Sequence, residues 1–312
     1  MNSTKDEPRR VLALINPKSG IWFNPFEILT GLREAWDQPE INLYYQESKS
    51  PEDGKVKVRR AIADGVDTVI AIGGDGMINT IGAELVGTNV ALAVLPAGSG
   101  NGFARHFGIP LRASLAAKVL RNGNRFRIDV GYVGDRPFFV TAGLAWDADL
   151  VKGFDSSPVR GITPYILSGI YHFFTYEPQD FILEIDGKTV NVDHPLVLTV
   201  ANLTQYGGGA KIAPDALPDD GKLALVVVPR SDPIEFLFKL GRLFDGRINK
   251  LPEIRTWSFR SMTVIRERPG PIQIDGELIE ADRELKIEVC PSALEVIVPA
   301  ESNEQRTAWS QE

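Results

Sequence analysis

Apolar residues in the first third of the chain come in short unbroken runs. Val11-Leu12-Ala13-Leu14-Ile15, Thr68-Val69-Ile70-Ala71-Ile72 and Ala91 to Leu95 show no alternation with polar residues. Such runs suit strands covered on both faces, as in a parallel sheet. Ile41 to Tyr45 adds a shorter strand-like stretch. Between them, Phe26 to Trp36, Pro51 to Asp64 and Ile78 to Val86 carry apolar positions at helical spacing. Strands alternating with helices predict an α/β domain over residues 8–127.

The pattern changes near Arg127. Ile128-Asp129-Val130, Phe138 to Ala142, Phe181 to Ile185, Leu196 to Ala201, Leu223 to Val228, Thr263 to Ile265 and Leu294 to Val298 read as strands with little helix between them. Residues 128–299 are therefore expected to form a mainly antiparallel β domain, whose last strands are free to return to the first. The polar segment 300–312 reads as a frayed tail.

Composition narrows the classes. Apolar residues make up 43% and charged residues 24%, ordinary values for a folded chain with a real core. The net charge of −7 gives no general attraction to nucleic-acid phosphates, so no nucleic-acid partner is expected. With Cys290 as its sole cysteine, the chain can form no internal disulfide and no cysteine-based zinc site. The opening MNSTKDEPRR lacks the apolar core of a signal peptide, and no window has the length of a membrane span. The expected location is cytoplasmic, with peripheral membrane contact at most.

Candidate chemistry gathers in the turns that close the strands. Asn16-Pro17-Lys18-Ser19-Gly20, Gly73-Gly74-Asp75-Gly76 and Pro96-Ala97-Gly98-Ser99-Gly100-Asn101 follow the three buried runs. Ligands of parallel α/β sheets bind at these carboxyl ends. Glycines there allow positive φ and let backbone N–H groups approach a phosphate. Two such turns on adjacent strands suit one nucleotide; the plain alternative is two tight loops. A carboxylate at Asp75 repels phosphate and suits a metal or an acceptor proton instead. The turns match neither the dinucleotide nor the P-loop spacing.

Ile274-Asp275-Gly276-Glu277 is a plausible type I′ hairpin turn, and Asp186-Gly187 is another. Ala213 to Gly221 holds Asp215, Asp219 and Asp220, a loop able to hold a divalent ion or to stand solvated. Tyr165, Ile166, Ile170, Phe173 and Phe174 fall near helical spacing, as a core stripe or a lipid-facing patch.

Taken in order, these segments resemble the diacylglycerol kinase catalytic-domain family, which includes bacterial soluble lipid kinases and the sphingosine and ceramide kinases. Ile128 to Gly131, Ala142-Gly143-Leu144, Ala201-Asn202 and Gly207-Gly208-Gly209 add to the match, which spans residues 10–299. The resemblance implies a two-domain lipid kinase/NAD kinase-like fold. It implies transfer of the γ-phosphate of ATP to a lipid hydroxyl, with diacylglycerol as first expectation and a sphingosine- or ceramide-type lipid as second.

In that reading Gly73, Gly74, Asp75, Gly76, Met77, Ile78 and Asn79 resemble the ATP-phosphate loop. Asn16, Ser48, Gly98, Ser99 and Asn101 stand at further nucleotide contacts. Glu277 resembles the general base, and Asp75 lies near the metal and the transferred phosphate. Asp220, with the carbonyls of Leu217 and Lys222, resembles a structural Mg²⁺ site that helps position Asp129. Met77 stands in place of a threonine and Thr80 in place of a glutamate. Ser99-Gly100-Asn101-Gly102 replaces the Thr-x-Asn-Asp typical of bacterial diacylglycerol kinases. The last change, with the apolar Met77, leans toward sphingosine-kinase-like members. The implied partner is a lipid at a membrane surface, and a homodimer is compatible with the sequence. An NAD kinase, and a non-catalytic nucleotide- or lipid-binding regulator, are the alternatives.

Overall fold

A computed structural model describes residues 8–17, 24–145, 177–230, 232 and 241–300. The Tyr165 to Phe174 stripe and Lys18-Ser19-Gly20 lie outside the described residues. The chain divides into two compact units, one of residues 1–127 with 293–312 and one of residues 128–292. The end of the last strand pairs within the first unit, so the second unit closes at Ser292.

The first unit is a parallel sheet with helices. Its strands are β1 (Arg9–Ile15), β2 (Ile41–Glu47), β3 (Thr68–Gly73) and β4 (Ala91–Pro96), in the order β2-β1-β3-β4. β3 and β4 are buried along their whole length, the reason their sequences do not alternate. The helices are α1 (Pro25–Trp36), α2 (Pro51–Ala63), α3 (Asp75–Leu85), the single turn α4 (Gly102–His106) and α5 (Ala113–Arg121).

Asn24 caps α1 through the Glu27 N–H, with Pro25 at the first helical position, and Ser50 caps α2 through the Asp53 N–H. α1 and α5 meet closely enough that a Cβ on Gly31 would stand 2.6 Å from the Ser114 Cβ. The Trp36 indole, 1% exposed, donates to the Ala117 carbonyl at 2.9 Å. The chain leaves β1 toward β2 on one side and returns to β3 on the other. The carboxyl ends of β1 and β3 thus flank a topological switch point.

The second unit is a β sandwich. One sheet runs β12-β11-β10-β7-β14-β15, its neighbours paired antiparallel. Its strands are β7 (Thr141–Gly143), β10 (Pro195–Ala201), β11 (Leu223–Pro229), β12 (Arg255–Phe259), β14 (Gly270–Ile274) and β15 (Glu277–Ala281). The other includes β8 (Phe181–Ile185), β9 (Lys188–Val192), β13 (Ser261–Arg266) and the first part of β16 (Glu284–Val298), with β5 (Asn124–Val133) beside β16 and β6 (Arg136–Phe138) beside β5. Leu198, Val200, Leu225, Ile272 and Ile274 meet Phe181, Leu183, Met262, Val264 and Ile287 in one core. β10 is buried on its other side too, where Val197 and Ala201 join Ile212, Ala213, Val226 and Ile248. Both faces are covered, so this antiparallel strand also reads as a continuous apolar run.

Candidate functional site

The Gly73 to Asn79 segment is a corner rather than a loop. β3 ends at Gly73, Gly74 caps α3, and Asp75 begins the helix. Met77 and Ile78 return their N–H groups to the Gly74 carbonyl. Asp75 and Gly76 are the helical residues whose N–H groups have no preceding turn to bond, and the positive end of the helix dipole lies there. A phosphate is the natural complement of such an end.

Three residues of this segment take part differently. Gly74 has φ −93°, so it is not a left-handed residue. The Gly98 loop touches it instead: a Cβ on Gly74 would stand 3.1 Å from Gly98 Cα, and a Cβ on Gly98 would stand 2.6 Å from Gly74 Cα. Met77 and Ile78 are buried at 8% and 2% exposure, so a nucleotide would meet only their backbone. Met77 packs its sulfur against Gly73, where a Cβ would come within 2.7 Å of it. Thr80, likewise, gives its hydroxyl to the Gly76 carbonyl at 2.9 Å.

The next turn is built to meet this corner. β3 and β4 are adjacent and parallel, and the Ala97 N–H donates to the Gly73 carbonyl at 2.9 Å. Asn101 sits at φ 51° in the left-handed region. Its side-chain amide closes the loop on Gly98, accepting from the N–H at 3.0 Å and donating to the carbonyl at 2.8 Å. Ser99 stays exposed on the outside of the turn. Asp75 ties the two segments together, accepting from the N–H groups of Gly102 at 3.0 Å and Phe103 at 3.2 Å. Burial pushes the Asp75 carboxyl above its usual range, and backbone N–H groups of Gly102, Phe103 and Asn101 oppose the shift. This pinning role was not legible in the sequence, since the bonds cross 27 and 28 positions.

The remaining nucleotide candidates divide. Asn16 lies at the end of β1 and donates its N–H to the Ile72 carbonyl at 3.1 Å, beside the Gly73 corner. The Ser48 hydroxyl donates to the Ser50 carbonyl at 3.0 Å, and a Cβ on Gly54 would come within 2.8 Å of it. Ser48 is thereby turned to the start of α2.

In the second unit, Asp275 and Gly276 have φ 47° and 83° and join β14 to β15 in a two-residue type I′ turn. The Asp275 carboxylate accepts from the N–H groups of Phe139 at 2.8 Å, Val140 at 2.8 Å and Thr141 at 3.0 Å. Glu277 follows, exposed, paired across the turn with Ile274. The acidic loop lines a cavity of about 150 Å³ with Leu217, Asp220, Lys222, Asp215 and Asn249. Asp220 accepts the Lys222 N–H at 2.9 Å.

Asp129, 1% exposed, holds the same loop: its carboxylate accepts from Gly221 at 2.6 Å and Ser292 at 2.8 Å, and its N–H donates to Pro218. Burial raises the Asp129 carboxyl above its usual range, those N–H groups lower it, and Asp220 and Asp219 raise it further. The oxygen-rich donor set at Leu217, Asp220 and Lys222 fits a hard cation, which keeps several of its own waters. Among the described residues no group of three or more His, Cys, Asp or Glu gathers as a metal site.

A parallel α/β unit with paired glycine corners, followed by a β sandwich with an Asp-Gly-Glu hairpin, defines a class of two-domain kinases. The profile of the diacylglycerol kinase catalytic domain matches residues 10–133. That of the YegS C-terminal NAD kinase beta sandwich-like domain matches residues 140–298, half of the chain. The chain belongs to this family and is a kinase of it.

Relatives named "Probable lipid kinase YegS" from Salmonella gallinarum and Salmonella typhimurium are each 29% identical over 296 residues, 92% of this chain and 95% of theirs. A diacylglycerol kinase structure from Bacillus anthracis superposes with TM-score 0.74 at 24% identity, over 95% of this chain and 98% of that one. An NAD kinase from Archaeoglobus fulgidus, in complex with ATP, gives TM-score 0.51 at 14% identity, over 96% and 98%. These two likenesses are of fold. Among the described residues, no helix is long and apolar enough to cross a membrane.

Proposed function

We propose that this kinase transfers the γ-phosphate of ATP to the hydroxyl of diacylglycerol. The observation that carries the reading is the contact of two glycine corners, Gly74 and Gly98, at the start of α3. The backbone N–H of Gly76, at the positive end of α3, holds a phosphate oxygen, and Asp75 keeps the two corners in register. Phosphoryl transfer depends on such positioning and charge stabilisation more than on covalent chemistry by the protein.

Glu277 takes the proton of the acceptor hydroxyl as its oxygen forms the new bond to the γ-phosphorus. The bond to the β–γ bridging oxygen breaks, and ADP leaves with that electron pair. General-base help of this kind contributes roughly 10²–10⁴ in rate. The exposure of Glu277 on a rigid two-residue turn supports the role. Leu217, Asp220 and Lys222 would hold Mg²⁺, which supplies rigidity to the loop that Asp129 grips.

Labelled ATP presented with diacylglycerol, sphingosine, ceramide and NAD, in separate reactions with Mg²⁺, tests the reading. The expected product is labelled phosphatidic acid. Label in NADP, or in sphingosine phosphate alone, would overturn the choice of acceptor.

A further inference from the structure

Among the described residues, two hairpin turns are of the same type. Asp186-Gly187, with φ 45° and 83°, joins β8 to β9, and Asp275-Gly276, with φ 47° and 83°, joins β14 to β15. Each aspartate accepts backbone N–H groups from a neighbouring segment, Arg260 and Ser261 in one case and Phe139 to Thr141 in the other. The turns differ two residues earlier. Glu184, before Asp186, is exposed, whereas Gln273, before Asp275, is 2% exposed.

Gln273 is bonded at both ends of its amide. Its oxygen accepts the Gly276 N–H at 2.9 Å, inside the turn itself. Its nitrogen donates to the Thr141 hydroxyl at 3.1 Å, and Thr141 is 3% exposed. Thr141 closes the circuit through its backbone: its N–H donates to the Asp275 carboxylate at 3.0 Å and its carbonyl accepts the Asp275 N–H at 2.9 Å. Each of the four residues Gln273, Thr141, Asp275 and Gly276 is bonded to another of the set. The residue held next to this circuit is Glu277.

Stability alone does not call for this polar pair. Gln273 sits in the strand next to Ile272 and Ile274, core residues, and replacing both Gln273 and Thr141 by apolar side chains of the same shape is often neutral or better for folding, whereas removing one alone strands the other. A buried amide has strongly directional needs, so it specifies one turn geometry where an apolar residue would allow several. The Asp186 hairpin has the same turn and does without this device.

We propose that Gln273 and Thr141 are positioning residues for Glu277: they lock the Asp275-Gly276 turn and so fix the height and direction from which the carboxylate meets the acceptor hydroxyl. The proposal rests on the reading of Glu277 as the base. Misplacement by about 1 Å can cost on the order of 10²-fold in rate. The effect belongs in kcat, since neither side chain is assigned to binding ATP or lipid.

The test uses the full chain with labelled ATP and phosphatidylcholine vesicles carrying diacylglycerol and sphingosine. Gln273→Met removes the amide at similar volume. Thr141→Val removes only the hydroxyl, and Thr141→Ser keeps it. The expected result is a fall in kcat of about tenfold or more for Gln273→Met and Thr141→Val, with both KM values within about threefold. Thr141→Ser is expected to recover at least about half of the wild-type kcat. Should Gln273→Met fail to fold, the Thr141 pair decides the matter alone.

Glu277→Gln is run in parallel. If it is inactive while Gln273→Met and Thr141→Val keep wild-type kcat, the base stands and the positioning role is overturned. If Glu277→Gln keeps full turnover, or wild type labels neither lipid, the base reading fails and the positioning role fails with it. Equal losses in Thr141→Val and Thr141→Ser would also overturn it, because the hydroxyl would then be irrelevant.

Discussion

A single methyl group at Gly98 tests whether the contact between the two corners matters. The Cβ of an alanine there would stand 2.6 Å from Gly74 Cα and 3.0 Å from the Asn101 side-chain oxygen. Gly74 Cα is backbone and cannot swing aside, so the corners must part by several tenths of an ångström before the contact becomes ordinary. Overpacking of this kind costs about 1–3 kcal/mol. For a domain of this size each kcal/mol lowers Tm by about 2–4 °C. The same displacement pulls the Gly98 loop off the start of α3, where Asp75 receives the Gly102 and Phe103 N–H groups. Loss of one well-placed phosphate contact, about 1.4 kcal/mol, weakens ATP binding about tenfold. Calorimetric titration with ATP and thermal melting of Gly98→Ala measure both effects. Gly76→Ala is the control for folding: no atom lies within 4 Å of its added Cβ, and alanine gains about 0.5–1 kcal/mol over glycine within a helix. A Gly98→Ala protein that melts with wild type and binds ATP within about twofold would refute the account of the corners.

Glu277→Gln should abolish transfer while leaving ATP affinity unchanged, because the amide keeps the shape and cannot take a proton; turnover above about a tenth of wild type would remove Glu277 as the base. Asp220→Ala should lose the Mg²⁺-dependent rise in Tm expected of wild type against chelator, since an ion bound only by the folded state stabilises it. An equal shift in both proteins would place the ion elsewhere. His106, buried beside Phe107, has its pKa pushed down to about 3 by burial, against an unfolded value near 6.5. Between these values the unfolded chain binds a proton that the folded one refuses, so stability is complete above about pH 6.5 and declines by about 1.4 kcal/mol per pH unit below it. Urea titrations at pH 7 and pH 5 should show a smaller decline in His106→Gln than in wild type, and equal declines would mean that folded His106 takes up the proton.

Features governed by near neighbours in the chain were readable from the sequence. The unbroken runs at β1, β3 and β4 reported strands covered on both faces, and Asp275-Gly276 reported its turn type. Where a distant segment decides the outcome, the sequence misled. The glycine at position 74 suggested a need for positive φ, yet its φ is −93° and the constraint comes from Gly98, across the neighbouring strand. The helix after it was expected from Ile78, but Asp75 already begins it, and its buried side holds Met77, Ile78, Ile81 and Leu85. The glycines at 73, 74 and 76 hid only its first turn. Gln273 drew no notice at all, because nothing in a lone polar residue within a strand tells that Thr141, 132 positions away, will meet it.

The aspartates of the three motif segments share a use that the sequence reading did not assign. Asp75, Asp129 and Asp275 each accept at least two backbone N–H groups from segments far along the chain. A carboxylate has about four acceptor sites and no donor, so it suits the unpaired N–H groups that cluster where a strand ends or a loop turns back. Each carboxylate closes such a place without a helix or a sheet ladder. Among these motif segments the acidic residues divide by partner. Asp75, Asp129 and Asp275 hold backbone and preset the frame, while Glu277, exposed after its turn, is the one we propose for the acceptor proton. On this division, replacing Asp275 by Asn removes charge-assisted bonds that order three consecutive N–H groups, and the lost activity follows from a displaced Glu277. Replacing Glu277 by Gln leaves that frame intact. The two variants should separate in melting temperature even where both are inactive.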